Sequence, residues 1–214
     1  MEYCSNILCD TYIESEMVPQ LIKSDKVARV KLFALGPEGT NISQAAKLWA
    51  EHLRILDKTE MILCATPEDE VEEAMKVDKK GVVPIFALCA VYNDLCKLFF
   101  KYGSNYTFLH HFYMRLDKMQ LASKKYINET MPNNATIASH YSPSVLLENT
   151  EYNICMADSN AAAARKCFYG ETDACITTET ARKIYGLNTL KEFGAPSMLF
   201  TFGTTEHGIR QLQL

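Results

Sequence analysis

Short apolar runs alternate along this chain with segments whose apolar residues recur at helical spacing. From Val30 the run VKLFAL precedes the turn GPEGT. Apolar residues then recur three and four positions apart: Ile42, Ala45, Ala46, Trp49 and Leu53. The pattern predicts a buried strand, a loop and an amphipathic helix.

The same succession continues through the first half of the chain. The run MILCA precedes Thr66 and Pro67, which suit a helix N-cap and the first helical position. GVVPIFAL is typical of a buried strand, and residues 92–100 are predicted to form a short helix or an irregular crossover. The β-forming run YTFLHHFYMRL predicts an extended strand that links two lobes.

The second half repeats the alternation of strands and helices. TIASH, YNICMA and DACITT are predicted strands, and each precedes a short helical segment, SVLLEN, NAAAARKCFY and ETARKIY. Ser159 or Asp158 would cap the alanine-rich helix, and Gly170 would close it. Such alternation favours an α/β fold with parallel-rich sheets and two closely connected lobes.

The sequence also suggests where these lobes begin and end. We expect an N-terminal extension over 1–29 and a catalytic domain over 30–205, with a tail over 206–214. Within the domain, lobe 1 would span about 30–105 plus 190–205, and lobe 2 about 106–189.

Composition narrows the class of protein. The chain has 214 residues, 48% of them apolar, and its eight cysteines form no C-x-x-C pair and no zinc-ligand spacing. We therefore expect no disulfide framework, no metal site and a reducing compartment. No apolar stretch approaches the roughly 20 residues that span a bilayer, and the N-terminus lacks a signal pattern. Dispersed Lys and Arg with a net charge of −4 argue against nucleic-acid binding. A cytoplasmic protein without membrane or nucleic-acid partners is predicted.

Candidate chemistry lies in the loops that join strands to helices. Ligands of open parallel sheets bind beyond the carboxyl ends of the strands, where helix N-termini favour anions. Four loops fall there: 36–40, 139–142, 158–161 and 177–179. One such loop alone is an ordinary helix cap, whereas four together predict a site for a small carboxylate-bearing metabolite in a cleft between the lobes. The small side chains from Ala161 onward would let a carboxylate approach the backbone amides.

Three functional side chains alternate along the predicted linking strand. Alternate strand residues share a face, so His111, Tyr113 and Arg115 should point the same way. They would supply a proton donor and a carboxylate clamp. A half-exposed edge strand without a catalytic role is the alternative interpretation.

These loops together resemble the prephenate dehydratase family. Gly36 to Thr40 matches its GPEGT loop, and Val83-Pro84-Ile85 matches the start of its VPIEN strand end. Ser139-His140 and Ser159 to Ala164 match its SHP turn and its S-T-A-x-A-A helix start. The resemblance extends from about Leu32 to Gly203 and implies two α/β lobes of the periplasmic-binding-protein type around a central cleft.

Two departures from that family are informative. The VPIEN strand end continues here as Phe86-Ala87, and Pro196 to Phe200 replaces the Thr-Arg-Phe motif that the family uses at the departing hydroxyl. With the segments HFYMR, SHYSP, AARK and ARKIYGL, these departures resemble the prephenate decarboxylases of bacilysin-type and aeruginosin-type pathways. That resemblance implies decarboxylation of prephenate to a dihydro-4-hydroxyphenylpyruvate without aromatisation, no cofactor, and a homodimer.

The resemblance also suggests roles for particular residues. His111, His140 and Tyr113 are the candidate proton donors, and the sequence does not choose among them. Phe86 and Met198 would form an apolar wall, and Arg115 would clamp a carboxylate. The other predicted substrate-binding residues are Thr40, Ser139, Ser159, Asn160 and Ala161. A dehydratase with diverged motifs and a non-catalytic carboxylate-binding module are the rival interpretations.

Overall fold

The computed structural model describes residues 17–103, 105–125 and 131–212. They form two compact units: unit 1 contains the chain up to Met114 and again from Met198, and unit 2 spans Arg115–Ser197. The chain leaves unit 1 at the end of the strand Tyr106–Arg115. The sequence placed this boundary near Tyr106, at the start of the same strand, because a continuous β-forming run carries no mark of where a lobe ends.

Ten strands and seven α-helices are present among the described residues. In chain order they are α1 Met17–Lys23, β1 Arg29–Leu35, α2 Asn41–His52, β2 Thr59–Cys64, α3 Pro67–Met75, β3 Val82–Cys89, α4 Leu95–Tyr102, β4 Tyr106–Arg115, β5 Met119–Ser123, β6 Thr136–Ser139, β7 Asn153–Met156, α5 Asn160–Phe168, β8 Ala174–Thr178, α6 Glu179–Ile184, β9 Asn188–Gly194, β10 Ser197–Thr205 and α7 Glu206–Leu212. Two 3₁₀ turns, Leu56–Lys58 and Ser142–Leu147, complete the set.

Unit 1 is built on a mixed sheet with strand order β2-β1-β3-β10-β4. β1 pairs in parallel with β2 and β3, whereas β10 runs antiparallel to β3. Every residue of β3 is buried, which explains its continuous apolar sequence VVPIFALC. Trp49 of α2 is also fully buried, and its ring stacks on Phe202 of β10 with centroids 4.3 Å apart. These contacts fix the strand ends from which the unit 1 loops project.

Unit 2 has a mixed sheet of the corresponding order, β7-β6-β8-β5-β9. β6 pairs in parallel with β7 and β8, and β5 runs antiparallel to both β8 and β9. The sequence did not predict β5, β9 or β10. β5 is only five residues long, and β9 is a mostly polar edge strand, so neither carries a buried-strand pattern.

Helix starts agree closely with the sequence. Thr66 accepts a hydrogen bond from the N–H of Asp69, whose carboxylate accepts one from the N–H of Thr66, so the pair forms a capping box. Ser159, and not Asp158, caps α5 through the N–H of Ala162. Capping side chains therefore fix both helices immediately after a strand.

Helices occupy parts of both predicted terminal segments. In the N-terminal segment Ile22 and Val27 are buried, and the Lys58 ammonium donates to the carbonyls of Ser24 and Val27. The remainder of the predicted extension, residues 1–16, lies outside the described residues. In place of a tail, α7 packs on unit 1, where His207 Nε2 lies 3.1 Å from the Lys79 carbonyl oxygen.

Candidate active site

The loop after β1 is fixed by hydrogen bonds to β1, to β2 and to the start of α2. The N–H of Gly36 donates to the carbonyl of Cys64 on β2, at 2.8 Å. The Thr40 hydroxyl donates to the Leu35 carbonyl at 2.7 Å and accepts from the N–H of Ser43 at 3.2 Å. Thr40 is thus the N-cap of α2, and its hydroxyl already has a donor and an acceptor partner within the loop.

His111 and Tyr113 form a pair on β4. Their ring centroids lie 6.0 Å apart in an edge-on arrangement, and both side chains are exposed, Tyr113 to 65%. Edge-on packing orients the two rings without burying the imidazole nitrogens or the phenol. The expected common face of these two residues is therefore present within unit 1.

The neighbouring His110 has a different environment. The indole N–H of buried Trp49 donates to His110 Nδ1 at 3.0 Å, so that nitrogen is unprotonated and the other ring nitrogen carries the hydrogen. The two adjacent histidines thus differ in environment: His110 contacts Trp49 and is half-buried, whereas His111 is exposed, with its ring centroid 5.7 Å from that of His110.

The two residues expected to form an apolar wall differ in exposure. Phe86 is fully buried, with its ring packed edge-on against Tyr106 at 5.3 Å between centroids. Met198 is half-buried, and its Sδ lies 3.1 Å from the thiol Sγ of Cys89. Burial raises the pKa of the Cys89 thiol, which therefore stays protonated and donates to the thioether. Phe86 thus belongs to the core of unit 1, and Met198 is the member of the pair with exposed surface.

In unit 2, Ser139 and His140 follow β6. Ser139 is fully buried and donates its hydroxyl to the carbonyl of His140 at 2.9 Å. His140 is half-buried, and its Nδ1 accepts a long hydrogen bond, 3.4 Å, from the N–H of Ser142. The serine thus holds the backbone of the turn, and the imidazole is the group with accessible surface.

The start of α5 carries the next group of predicted residues. The carbonyl of Asn160 accepts from the buried Thr177 hydroxyl at 2.8 Å, which ties the helix to β8. Asn160 Oδ1 is buried and has no hydrogen-bond partner among the described residues. Ser159 and Ala161 are exposed. The first turn of α5 therefore has accessible backbone at Ser159 and Ala161, whereas the buried Asn160 Oδ1 is an acceptor that adds no donor for an anion.

Asp117 occupies the start of α6, which the sequence had included among the ligand loops. Its carboxylate accepts from the N–H of Thr180 at 2.8 Å and from the N–H of Lys118. Partial burial would raise the pKa of this carboxyl, but the hydrogen bonds from Thr180 and Thr178 outweigh it and hold the pKa below its usual value. An internal anion therefore binds at the 177–179 loop, where a ligand carboxylate was expected.

The structure groups the predicted residues within each unit. In unit 1, His111 and Tyr113 are in contact on β4, and Met198 contacts Cys89. In unit 2, Ser139 and His140 lie in one turn, Ser159 to Ala161 lie in another, and Arg115 is exposed as the first residue of the unit. Two further residues belong with the predicted ones, Cys89 and Asp117. The sequence did not indicate them, because each contacts a residue that is distant along the chain, Met198 and Thr180 respectively.

Over residues 17–103, 105–125 and 131–212, no helix is long and apolar enough to span a bilayer. The same residues contain no group of three His, Cys, Asp or Glu side chains arranged to hold a metal ion.

Similarity to proteins of known structure supports the fold. The periplasmic VFT2 domain of BvgS from Bordetella pertussis aligns with a TM-score of 0.53 and 16% identity, covering 94% of this chain and 91% of that one. A double mutant of the same domain gives a TM-score of 0.52. This likeness confirms the expected two-lobed α/β fold, while the central cleft stays a prediction.

Similarity in sequence identifies the family. Two curated relatives, from Bacillus subtilis and Bacillus amyloliquefaciens, each bear the name prephenate decarboxylase. Each is 26% identical over 197 residues, covering 83% of this chain and 88% of the relative. The resemblance seen in the loop motifs is confirmed, as is the expectation of an enzyme. The family model described as prephenate dehydratase matches residues 32–194, and the chain belongs to that family.

Proposed function

We propose that this protein decarboxylates prephenate without expelling the ring hydroxyl, and that it releases a dihydro-4-hydroxyphenylpyruvate. The observation that carries the proposal is the contact between Met198 and Cys89, because Met198 belongs to the segment Pro196 to Phe200 that we align with the Thr-Arg-Phe motif of the dehydratases. A thioether and a protonated thiol supply no strong acid to a departing hydroxyl. The curated relatives named prephenate decarboxylase support the decarboxylation of prephenate.

The reaction requires one bond cleavage and one protonation. The bond between the ring carbon and its carboxylate breaks, and its electron pair forms a new ring double bond as CO₂ leaves. The adjacent ring double bond then takes up a proton at its far carbon, so the hydroxyl is retained and one proton is consumed. An enzyme that gives this product must supply a proton to the ring and withhold one from the hydroxyl.

Three side chains are suited to supply that proton. His111 and Tyr113 form an exposed pair on β4, and His140 has accessible surface in unit 2. Imidazole and phenol groups are general acids that enzymes use, and all three side chains have accessible surface from which a proton can be given. We place the ring-protonating group among these three.

The carboxylates of prephenate need partners as well. We assign the keto-acid carboxylate to the first turn of α5, where Ser159 and Ala161 are exposed and the helix N-terminus favours an anion. Arg115 is exposed and can clamp a carboxylate with two parallel hydrogen bonds. Asp117 already occupies the start of α6, which leaves α5 as the better site in unit 2.

The direct test is product analysis. The purified full chain is incubated with prephenate in D₂O, without added metal or cofactor, and followed by proton NMR while CO₂ is measured. The proposal predicts equimolar CO₂, three vinylic ring protons in place of the two equivalent pairs of prephenate, and one deuterium on a ring sp³ carbon. Phenylpyruvate would instead establish a dehydratase, and bound but unchanged prephenate a binding module.

The proposed product also suggests a metabolic role for the protein. A non-aromatic hydroxylated keto acid leads away from phenylalanine, so we propose a role in the synthesis of an antibiotic or peptide natural product. We further propose a cytoplasmic homodimer that needs no cofactor. Size-exclusion chromatography with light scattering tests the dimer, and dialysis against a chelator before the NMR assay tests the cofactor.

A further inference from the structure

Glu70 is a fully buried carboxyl group in unit 1 that the proposed reaction does not use. It lies on α3 and has no exposed surface. Neither of its carboxyl oxygens has a hydrogen-bond partner of standard geometry among the described residues. A carboxylate in such a place would be a buried charge without a counter-ion, which proteins avoid by binding a proton.

The position of Glu70 links it to the candidate site. α3 packs on β1, β2 and β3, and the carboxyl interacts with the backbone N–H groups of Leu35, the last residue of β1, and of Ala87 in the last half of β3. Leu35 is followed directly by the loop Gly36 to Thr40. The carboxyl therefore lies beneath the strand ends from which this loop projects.

The titratable groups around Glu70 are acidic. Glu68 acts on it electrostatically from the same helix, and Cys64 at the end of β2 is another titratable group in its electrostatic reach. Burial raises the pKa of the Cys64 thiol to about 11, with added contributions from the acidic side chains of Glu70, Asp69 and Glu73. Burial also raises the pKa of Glu70 well above its usual value, and Glu68 raises it further, whereas the N–H groups of Ala87 and Leu35 lower it less.

We propose that Glu70 is a positioning residue whose uncharged acid form holds α3 against the ends of β1 and β3 and so fixes the Gly36 to Thr40 loop. The coupling runs through contacts already described. The N–H of Gly36 donates to the Cys64 carbonyl, and the Thr40 hydroxyl donates to the Leu35 carbonyl. Ionising Glu70 would draw water or a cation toward the carboxyl and separate α3 from these strand ends.

The pH dependence of stability has a definite sign. The folded protein binds the Glu70 proton more tightly than the unfolded chain does, so the stabilisation is complete below the unfolded pKa of Glu. It is lost progressively as pH rises from that value toward the folded pKa. Glu70→Gln keeps the shape and the uncharged state at every pH, and should therefore remove this loss.

The experiment compares the full chain with Glu70→Gln and with Glu73→Gln, an exposed glutamate of the same helix that pairs with Lys76. Thermal unfolding is measured from pH 5 to pH 9. We expect Glu70→Gln to raise Tm by about 2–8 °C at pH 8, with a smaller gain at pH 5. Glu73→Gln should follow the wild-type profile. In ¹⁵N–¹H spectra the amides of Gly36, Gly39 and Thr40 should titrate in the wild type and not in Glu70→Gln.

Two results would overturn the proposal. One is a Glu70→Gln profile parallel to the wild type, with loop amides that titrate unchanged. The other is a folded Glu70→Gln variant with normal loop spectra that has lost turnover, since this would require an ionisable acid at the reacting centre. If Glu70 acts only by positioning the loop, Glu70→Gln should keep kcat/KM within about threefold of the wild-type value at pH 6. It should also lose less activity than the wild type as the pH is raised toward 9.

Of these measurements, only kcat/KM rests on the proposed function. If the wild type leaves prephenate unchanged, that function fails, while the unfolding and amide titrations still decide the role of Glu70.

Discussion

The ring of Phe86 lies over the α-carbon of Gly203, its partner on the neighbouring antiparallel strand. A Cβ added to Gly203 would overlap the ring atoms Cζ and Cε2 of Phe86. Gly203 therefore accommodates the aromatic side chain that stands where the dehydratase motif has glutamate.

This relationship predicts a coupled stability effect. Gly203→Ala should lower the free energy of unfolding by about 1–3 kcal/mol, because a fully buried ring cannot move aside cheaply. In a Phe86→Leu background the same change should cost measurably less, since the smaller side chain leaves room. Urea unfolding of the two single variants and the double variant gives the coupling energy. Additive losses would mean that ring and glycine are not in contact.

Asp117 should stabilise α6 in a pH-dependent way. Its folded pKa lies below the unfolded value, so its contribution is present above the unfolded pKa of about 3.9 and is lost as pH falls through the folded pKa. Asp117→Asn removes the charge at the helix start and should cost about 1 kcal/mol at pH 7. The cost should shrink toward pH 3, as measured by urea unfolding. Glu151→Gln, at an exposed glutamate of unit 2, should show neither effect.

The pair on β4 should matter for turnover and not for folding. His111→Ala and Tyr113→Phe remove exposed groups. The free energy of unfolding should therefore change by no more than about 0.5 kcal/mol, the usual range of surface substitutions. We expect the variant that lacks the ring-protonating group to lose about 10²–10⁴-fold in kcat. His140→Ala completes the comparison, and His52→Ala, an exposed histidine on α2, is the matched control. Full activity in all three variants would show that another group donates the proton to the ring.

Met198 should control which product forms. Converting Ser197-Met198 to Thr-Arg restores a cationic hydrogen-bond donor at this position and should divert part of the product to phenylpyruvate. Cys89→Ala removes only the thiol that contacts the Met198 sulfur and tests whether that contact orients the side chain. For both variants the ratio of phenylpyruvate to the dihydro product is measured by NMR. An unchanged ratio in the Thr-Arg variant would show that the lost motif does not determine the outcome.

The sequence predicted those features that local pattern determines. Continuous apolar runs marked β1 and β3, and alternation along β4 predicted the shared face of His111 and Tyr113. Asp117 and Cys89 were not found, because their roles arise from contacts with Thr180 and Met198, distant along the chain. Chain spacing alone cannot reveal such contacts.

Glu70 is a different case, because a signal was present. It falls on the apolar stripe of α3 with Pro67, Val71 and Ala74, where a charged residue conflicts with burial. The cap at Thr66 and Pro67 marks where the helix begins, but it carries no information on which side of the helix is buried.

β10 also determines the order in which the chain can complete its fold during synthesis. It lies between β3 and β4 in the unit 1 sheet, yet it is encoded after the whole of unit 2. A nascent chain can close the contiguous segment Arg115–Ser197 while the unit 1 sheet still lacks its inner strand. Until β10 leaves the ribosome, the facing edges of β3 and β4 are unpaired, and β3 is apolar along its whole length. The strand that protects the unit 1 sheet from aggregation is thus made only after the whole of unit 2.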